Sequence, residues 1–406
     1  MSEPRTVTAR WVFPICGPPL EGGTVTVRGD HIEAVGPHGT RTADEDLGNV
    51  ALIPGLVNAH THLDLSGARG LIPPTDPDHF TDWLRGVIAY RRSRTPEQTQ
   101  EDIREGLAEC LRSGTTLIGD ITVGGTNWPM LHDAPIRVVA FWELIGLNPS
   151  RFEAALFEWC DKTGVDWGAD PVGVCYPSMP TFRWGASPHA PYSANCDLAL
   201  MMWGGNAAGA IHLAESPAEL ELIERRTGPF VSFLQDLGVW HPEAIATRTT
   251  DFLHVDTPFR VPRLYIHCNY LRSDIAFLPN QSVIYCPRTH AAFGHPPHPF
   301  REFLARGVRV GLGTDSLASN PDLDILAEAK FVRERYPDFP ADALLKMVTL
   351  SGAEALGWAD EAGSLEPGKS ADLVALPLSD RDAADPHELL FASTGERHTM
   401  FRGQWR

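Results

Sequence analysis

Eight short apolar runs, separated by helical patterns and turn residues, constrain the fold of this chain more than any other feature. They span residues 56–62, 115–121, 137–144, 183–189, 210–213, 264–268, 282–286 and 308–313. Strands that alternate with helices are typical of parallel βα units, and eight such units close a barrel. We therefore predict an α/β fold built around a (β/α)8 TIM-like barrel.

The two ends of the chain follow a different pattern. Residues 24–28 and 32–35 alternate as short strands on either side of Gly29-Asp30, which predicts a hairpin. Residues 371–376 and 399–406 have the same strand-like character. Because a barrel uses about 250 residues and the chain has 406, we expect the ends to form a smaller β-rich unit.

Side chains that bind metals stand at the ends of three of the eight runs. His60 and His62 are two residues apart on a strand, so they share one face. His212 lies near the end of a second run, and Asp315 follows the last one. Active sites of such barrels lie at the carboxyl ends of the strands. Three imidazoles and one carboxylate suit zinc or another divalent ion with one position left for water, which predicts a hydrolytic metal centre.

Charge and cysteine usage narrow the function classes. The net charge of −18 is spread along the chain without a basic cluster, so we expect a small-molecule substrate and neither nucleic acid nor membrane as partner. Residues 1–14 show no signal pattern, and no apolar run approaches the roughly 20 residues of a spanning helix; a cytoplasmic location is expected. The cysteines are scattered without a Cys-x-x-Cys pair, which predicts reduced thiols and disfavours a cysteine-liganded zinc deaminase.

Five short motifs follow one another along the chain at residues 54–62, 212–215, 313–315, 351–357 and 363–374. The first reads Pro-Gly-Leu-Val-Asn-Ala-His-Thr-His, the second His-Leu-Ala-Glu and the third Gly-Thr-Asp. In this order they resemble the amidohydrolase superfamily. Within it they most resemble the deaminase branch that acts on S-adenosylhomocysteine, methylthioadenosine and aminodeoxyfutalosine. The similarity covers nearly the whole chain.

This resemblance implies a domain organisation and a cofactor. A composite β-sandwich formed by residues 1–54 and 360–406 would lie beside a barrel at residues 55–359. One divalent metal ion would be held by His60, His62, His212 and Asp315. Zinc is expected, with Fe²⁺, Ni²⁺ and Mn²⁺ as alternatives. The resemblance also implies a homodimer.

Three residues are expected to carry the chemistry. Glu215 would move a proton between water and a ring nitrogen; the alternative is a surface carboxylate that caps the following helix. By resemblance, His267 would hydrogen-bond the attacking water or join the metal shell, and a core histidine is the alternative. Asp315 would act as an acceptor as well as a ligand, so that a tetrahedral adduct is held beside the metal.

Substrate contacts are expected from side chains around this centre. His189 lies in a segment that resembles the family segment whose histidine contacts the substrate ring or sugar, with loop rigidity as the alternative. The other candidates are Trp83, Arg288 and His290. The roles of the histidine-rich loop that follows, which includes His295 and His298, stay open.

Two departures from the family pattern affect the substrate. Residues 286–290 read Cys-Pro-Arg-Thr-His where relatives commonly read Cys-Pro-x-Ser-Asn. The helix after Trp83 carries Arg91 and Arg92 where homocysteine-nucleoside deaminases carry an acidic residue that contacts the ribose. These arginines or Arg288 would suit a substrate carboxylate such as that of aminodeoxyfutalosine, because a guanidinium binds carboxylates in a bidentate fork. Solvated surface arginines are the alternative.

Together these residues predict a metal-dependent hydrolytic deaminase. Metal-bound hydroxide would attack the amino-bearing ring carbon of a 6-aminopurine nucleoside, Glu215 would protonate the ring nitrogen, and ammonia would leave. The alternative on the same scaffold is an amidohydrolase acting on guanine, a triazine, a chlorinated ring or an amide. A non-catalytic barrel is disfavoured because all four metal ligands and the acid/base residue are present.

Overall fold

The structure is a computed structural model that describes residues 3–123, 128–164, 179–205, 207–253, 255 and 261–406. Over these ranges, no helix is both long and apolar enough to cross a lipid bilayer. Among the cysteines, Cys110, Cys196, Cys268 and Cys286 are buried, Cys16 is exposed, and Cys175 lies outside the described residues.

The described strands fall into three groups along the chain. Before the barrel come β1 (Arg5–Thr8), β2 (Trp11–Val12), β3 (Leu20–Glu21), β4 (Thr24–Arg28), β5 (His31–Gly36), β6 (Glu45–Asp46) and β7 (Val50–Pro54). The barrel strands are β8 (Leu56–Thr61), β9 (Thr115–Thr122), β10 (Arg137–Leu144), β11 (Phe182–Pro188), β12 (Ala208–Leu213), β13 (Arg263–His267), β14 (Gln281–Tyr285) and β15 (Arg309–Leu312). The chain closes with β16 (Leu373–Pro377), β17 (His398–Phe401) and β18 (Gln404–Trp405).

Strands from both chain ends share one sheet. Its order is β18-β17-β16-β7-β2-β3, and β16 pairs antiparallel with β7. A second sheet, in the order β5-β4-β1-β6, contains the expected hairpin as β4 and β5. One buried apolar cluster includes Val25, Leu52 and Leu373, so residues far apart in sequence pack together. The domain boundaries at 54/55 and 359/360 stay predictions.

The middle of the chain forms the expected barrel. Its eight strands are neighbours in chain order from β8 to β15, and each adjacent pair is parallel. A parallel bridge between Thr61 and Asp315 brings the two edge strands together. All eight strands predicted from the sequence are present, with ends displaced by at most two residues. Burial on both faces explains why they read as continuous apolar runs.

Helices alternate with the barrel strands and continue beyond them. Their bounds are α1 (Phe80–Ser93), α2 (Pro96–Arg112), α3 (Trp128–His132), α4 (Pro149–Thr163), α5 (Cys196–Trp203), α6 (Pro217–Arg225), α7 (Pro229–Asp236), α8 (Pro287–Ala292), α9 (Phe300–Ala305), α10 (Ile325–Arg335), α11 (Ala341–Met347), α12 (Leu350–Ala355) and α13 (Pro386–Phe391). The start of α2 shows how the sequence sets a boundary. The Thr95 hydroxyl accepts from the Gln98 amide, the Gln98 side chain accepts from the Thr95 amide, and Pro96 occupies the first helical position.

A separate apolar cluster, here called the mouth cluster, covers the carboxyl end of the barrel. Its buried members include residues from the segments that follow six different barrel strands, namely Leu65, Leu147, Tyr192, Ala218, Phe293 and Ala318. Phe80 and Trp83 of α1 and Phe230 and Phe233 of α7 complete it. Because active-site residues lie at this end of such barrels, the mouth cluster packs around the place where they are expected.

A buried ion pair connects the barrel to the terminal sheet. Arg137 begins β10 and Asp372 immediately precedes β16, and the two side chains form a salt bridge while only 2% and 3% exposed. The Asp372 carboxylate also accepts from the Ser370 hydroxyl over 3.0 Å and from the Arg402 amide over 2.9 Å. A buried charge is tolerated only when it is paired, so each partner depends on the other.

We therefore predict that Asp372→Asn destabilises the protein by about 3 kcal/mol, because the Arg137 charge is left buried without its counter-ion. Thermal unfolding followed by tryptophan fluorescence measures the change. The matched control is Asp338→Asn, which breaks an exposed pair with Arg301 and should cost less than about 1 kcal/mol. Equal losses in the two variants would contradict the connecting role.

Candidate metal centre

The barrel brings the four predicted ligands to one point. His60 lies in β8 and His62 directly follows it, while His212 lies in β12 and Asp315 follows β15. The Nε2 atoms of His62 and His212 are 3.3 Å apart, and Asp315 Oδ1 lies 3.5 Å from His60 Nε2 and 3.6 Å from His62 Nε2. All four side chains are buried. These distances are those of ligand atoms that converge on a shared position.

His267, at the end of β13, belongs to the same group. Its ring centroid lies 5.7 Å from that of His60 and 5.5 Å from that of His212. The potential ligand atoms form two overlapping sets, and within each set all of them lie within 4.8 Å of one another. The first set is from His60, His212 and His267, and the second is from His60, His62 and Asp315. The structure thus places His267 both among the potential ligands and beside the proposed acid/base residue.

The chain turns sharply where several of these strands end. Ala214, His267, Cys268 and Asp315 adopt left-handed backbone conformations, with φ of 51°, 67°, 55° and 59°. Non-glycine residues seldom occupy this region, and they do so where surrounding structure fixes them, commonly at functional sites. At each of these turns the backbone leaves the barrel, while the side chains at the strand end stay directed at the centre.

Hydrogen bonds to the atoms that face away from the centre orient two of the ligands. His212 Nδ1 donates to the carbonyl oxygen of His189 over 2.9 Å, which leaves Nε2 free to face the centre. Asp315 Oδ2 accepts from the Ser319 hydroxyl over 2.9 Å, so that Oδ1 faces the histidines. Partners of this kind fix the tautomer and direction of metal ligands.

The chemistry of the donor set fits a divalent cation. Burial holds the pKa values of His62, His212 and His267 well below the usual range, so their imidazoles are neutral, as metal ligands must be. Burial raises the pKa of Asp315, but neighbouring His60 and His267 outweigh it and keep the carboxylate charged. Neither ring nitrogen of His60 has a hydrogen-bond partner among the described residues. Because an unpartnered buried imidazole is costly, a bound cation accounts for this arrangement.

Glu215 lies next to the ligands without being one of the converging set. Its Oε1 is 3.2 Å from His267 Nε2, and burial, together with Asp315 and Glu219, raises its pKa well above the usual range. The Glu219 carboxylate accepts from the amides of Ala214 and Glu215 over 2.8 and 2.9 Å, which fixes this turn. The capping alternative is wrong, because the side chain that caps α6 is that of Ser216.

A cavity of about 280 Å³ adjoins the centre. His189 lines it, with its ring centroid 4.8 Å from that of the ligand His212. His189 Nδ1 lies 2.7 Å from the Ser193 hydroxyl, which directs the ring. Most of the remaining wall is apolar and comes from α1, from the segment after β10 and from α7 with its following loop: Leu84, Val87, Ile88, Leu147, Phe233, Leu234, Leu237 and Val239. The cavity therefore suits a substrate with a sizeable apolar part.

The structure separates the arginines that the sequence grouped together. Arg91 lines the cavity, but its guanidinium donates to Asp64 over 2.8 Å and lies 3.3 Å from Glu143. It lies 3.4 Å from His62 Nδ1, so this cation borders the ligand group. Arg92 is exposed and does not line the cavity. Arg91 thus pairs with two buried carboxylates at the wall of the cavity.

Arg288 is not placed as a substrate contact. Its Nε donates to Glu328 over 2.6 Å and its Nη2 donates to Asp322 over 2.6 Å. The residue does not line the cavity beside His189. These ion pairs hold α8 against α10, and the substrate contact of Arg288 stays a prediction.

Trp83 and His290 also lie outside the lining of this cavity. Trp83 is buried in the mouth cluster, where its ring lies 5.6 Å from that of Phe80 and meets Phe293 edge-on at 5.1 Å. His290 Nε2 donates to the carbonyl oxygen of Pro296 over 2.9 Å. The substrate contacts of Trp83 and His290 stay predictions.

The sequence analysis did not predict that Arg151 and residues of α7 line the cavity. Arg151 is exposed at the start of α4, lines the cavity beside Asn148, and forms no ion pair with another described residue. The signal was available, since Asn148-Pro149 opens a helix soon after the strand 137–144 and so places this turn at the barrel mouth. No comparable signal marks α7, because its apolar residues read as an ordinary core-facing helix.

Comparison with known proteins agrees with this geometry. Residues 51–163 and 175–406 match the Amidohydrolase family. A 5-methylthioadenosine/S-adenosylhomocysteine deaminase from Moorella thermoacetica is 30% identical to this chain over an alignment 422 positions long. The alignment covers 95% of this chain and 89% of the relative. The match to the family extends over most of the chain and includes every residue of the candidate centre.

Two solved structures have a similar fold. An adenosine deaminase from Xanthomonas campestris with bound zinc aligns with a TM-score of 0.76 and 23% identity, covering 98% of this chain and 92% of that one. An aminofutalosine deaminase from Helicobacter pylori in complex with methylthio-coformycin aligns with a TM-score of 0.82 and 22% identity, covering 99% and 100%. At these identities the likeness shows a common architecture.

Proposed function

Because the chain belongs to the amidohydrolase family, we propose that it is a metal-dependent hydrolytic deaminase of a 6-aminopurine nucleoside-type substrate. One observation carries the proposal: Glu215 lies 3.2 Å from His267 at the edge of a converging group of three histidines and an aspartate. A proton carrier beside a metal centre is what hydrolytic removal of an amino group requires.

We assign the metal to His60, His62, His212 and Asp315, with His267 adjoining them. Zinc is the proposed ion, because a set of imidazoles with one carboxylate suits it and because the Xanthomonas adenosine deaminase carries zinc. When bound, such an ion acts as a Lewis acid and lowers the pKa of water from about 15.7 to about 7.

The residues of this chain supply the proton transfers. Glu215 accepts a proton from the water that adds to the amino-bearing ring carbon, and it delivers this proton to the neighbouring ring nitrogen. Its raised pKa makes this carboxylate a stronger proton acceptor than an exposed glutamate. His267 holds the adding oxygen by a hydrogen bond. The proton left on the added oxygen then moves to the amino group, and the bond from carbon to that group breaks. Ammonia leaves and a ring carbonyl remains.

The cavity supports one nucleoside over the others. Among the described residues, the lining combines an apolar wall with one guanidinium that forms no ion pair, that of Arg151, and with Asn148. The wall suits a large apolar substituent, and the guanidinium suits a carboxylate at its far end. A homocysteine group would bring an ammonium as well, and the described residues of the lining offer no carboxylate for it. We therefore propose aminodeoxyfutalosine, whose substituent is aromatic and acidic, as the substrate.

We predict that zinc-loaded protein releases ammonia from aminodeoxyfutalosine faster than from methylthioadenosine, S-adenosylhomocysteine, adenosine or guanine. Glu215→Gln should keep its zinc but lose roughly 10³-fold in kcat, because the proton carrier is removed. A coupled ammonia assay and metal analysis measure both. Silence across the panel with zinc bound would overturn the nucleoside assignment, and near-normal turnover by Glu215→Gln would overturn the role of that residue.

We also predict that Arg151→Met raises KM for aminodeoxyfutalosine by roughly tenfold or more, with a much smaller change in kcat, because the carboxylate loses its charged partner. Steady-state kinetics on two substrates tests this. Adenosine has no carboxylate, so its KM should not respond. Arg301→Met removes an exposed arginine elsewhere and serves as the matched control. Equal effects on both substrates would contradict a carboxylate contact.

A further inference from the structure

One residue of the histidine-rich loop after α8 contacts the candidate centre. His298 Nε2 donates to the carbonyl oxygen of His267 over 2.7 Å, and both residues are buried. The loop otherwise lies outside the lining of the substrate cavity. The function proposed above makes no use of this hydrogen bond.

The bond is made to a strained part of the backbone. His267 has a φ of 67° and Cys268 a φ of 55°, so two successive non-glycine residues are left-handed. Such conformations persist only where the surroundings determine them. The Cys268 amide reaches the Leu213 carbonyl over 3.0 Å, which fixes the amide side of the turn, and His298 fixes the carbonyl side. The direction of the His267 imidazole depends on this turn.

The ring of His298 is itself held in place. It stacks on Tyr285, with centroids 4.0 Å apart and ring planes 19° apart. Phe303 meets it edge-on at 6.2 Å. Pro297 and Pro299 flank the residue and restrict the backbone. The Nε2–H donor is therefore directed at one acceptor.

Two neighbouring histidines, His290 in α8 and His295 in the loop, use their hydrogen bonds elsewhere. His290 Nε2 donates to the Pro296 carbonyl within the loop, over 2.9 Å. His295 Nδ1 lies 3.0 Å from the Tyr270 hydroxyl. In the described part of the chain, the direct hydrogen bond from this loop to the centre is therefore the one from His298.

We propose that His298 is a positioning residue for the hydrolytic reaction: its Nε2–H fixes the left-handed turn at His267 and thereby aims the His267 imidazole at Glu215. It acts through His267 and touches no reacting atom. This inference rests on the proposed function in the kinetic test, which measures turnover, but not in the spectroscopic test.

The test compares variants that keep or lose the donor. His298→Phe keeps a ring that stacks on Tyr285 but has no N–H, so kcat for aminodeoxyfutalosine should fall about tenfold or more with KM within about twofold. His298→Gln places an amide nitrogen near the position of Nε2 and should recover most of the loss. His387→Phe, a largely buried histidine beside Phe13, is the control for the same substitution elsewhere.

A spectroscopic readout separates this inference from the proposed function. In protein with ¹⁵N-labelled histidine, the His267 ring signals are assigned by their loss in His267→Gln. His298→Phe should shift these signals and His298→Gln should restore them, whether or not any substrate is turned over. If wild type turns over nothing in the panel, the proposed function fails while the spectra still decide the role of His298.

Several results would overturn the inference. Unchanged His267 signals in His298→Phe would do so, as would unchanged kcat. If kcat falls equally in the Phe and Gln variants, and thermal stability falls in both, His298 contributes only to packing. If His298→Phe does not fold, His298→Leu provides a second variant without the donor, and the same criteria apply.

Discussion

Everything in this structure depends on one constraint: four buried histidines and a buried aspartate face one another at the carboxyl end of a closed parallel barrel. Buried polar groups must find partners, and like-charged or unpartnered ones are costly. Here the two ring nitrogens of His60 find none among the described residues. A divalent cation satisfies imidazole nitrogens and carboxylate oxygen together, which explains why strands so distant in sequence bring these groups to one place.

The surroundings separate two kinds of acidic group. Asp315 stays charged because His60 and His267 lie close to it, which suits a metal ligand. Glu215 has a raised pKa because it is buried near other carboxylates, which suits proton transfer. Arg91 contributes to this balance from the other side, since it neutralises Asp64 and Glu143 next to the ligand group. The mouth cluster packs next to these buried groups, and interactions between charges are stronger in a buried environment than in water.

Features that depend on local sequence pattern could be predicted, whereas contacts between residues far apart in the sequence could not. Eight apolar runs and the spacing of His60 and His62 were enough for the barrel and for its metal-binding end. The ion pairs of Arg288 could not be predicted because Asp322 and Glu328 lie 34 and 40 residues away, and no local pattern reports such a pair. The packing of Trp83 among aromatic rings could not be predicted, because a buried aromatic ring and a substrate platform have the same sequence appearance. The cavity wall from α7 was missed for the same reason.

The most direct test of this account is the metal content and coordination of the purified protein, measured by elemental analysis and X-ray absorption after loading with zinc. The account predicts one zinc ion per chain, bound by nitrogen and oxygen ligands at about 2.0–2.2 Å, and loss of that ion in His60→Ala. Failure to bind zinc, sulfur in the coordination shell, or an undiminished zinc content in His60→Ala would contradict it.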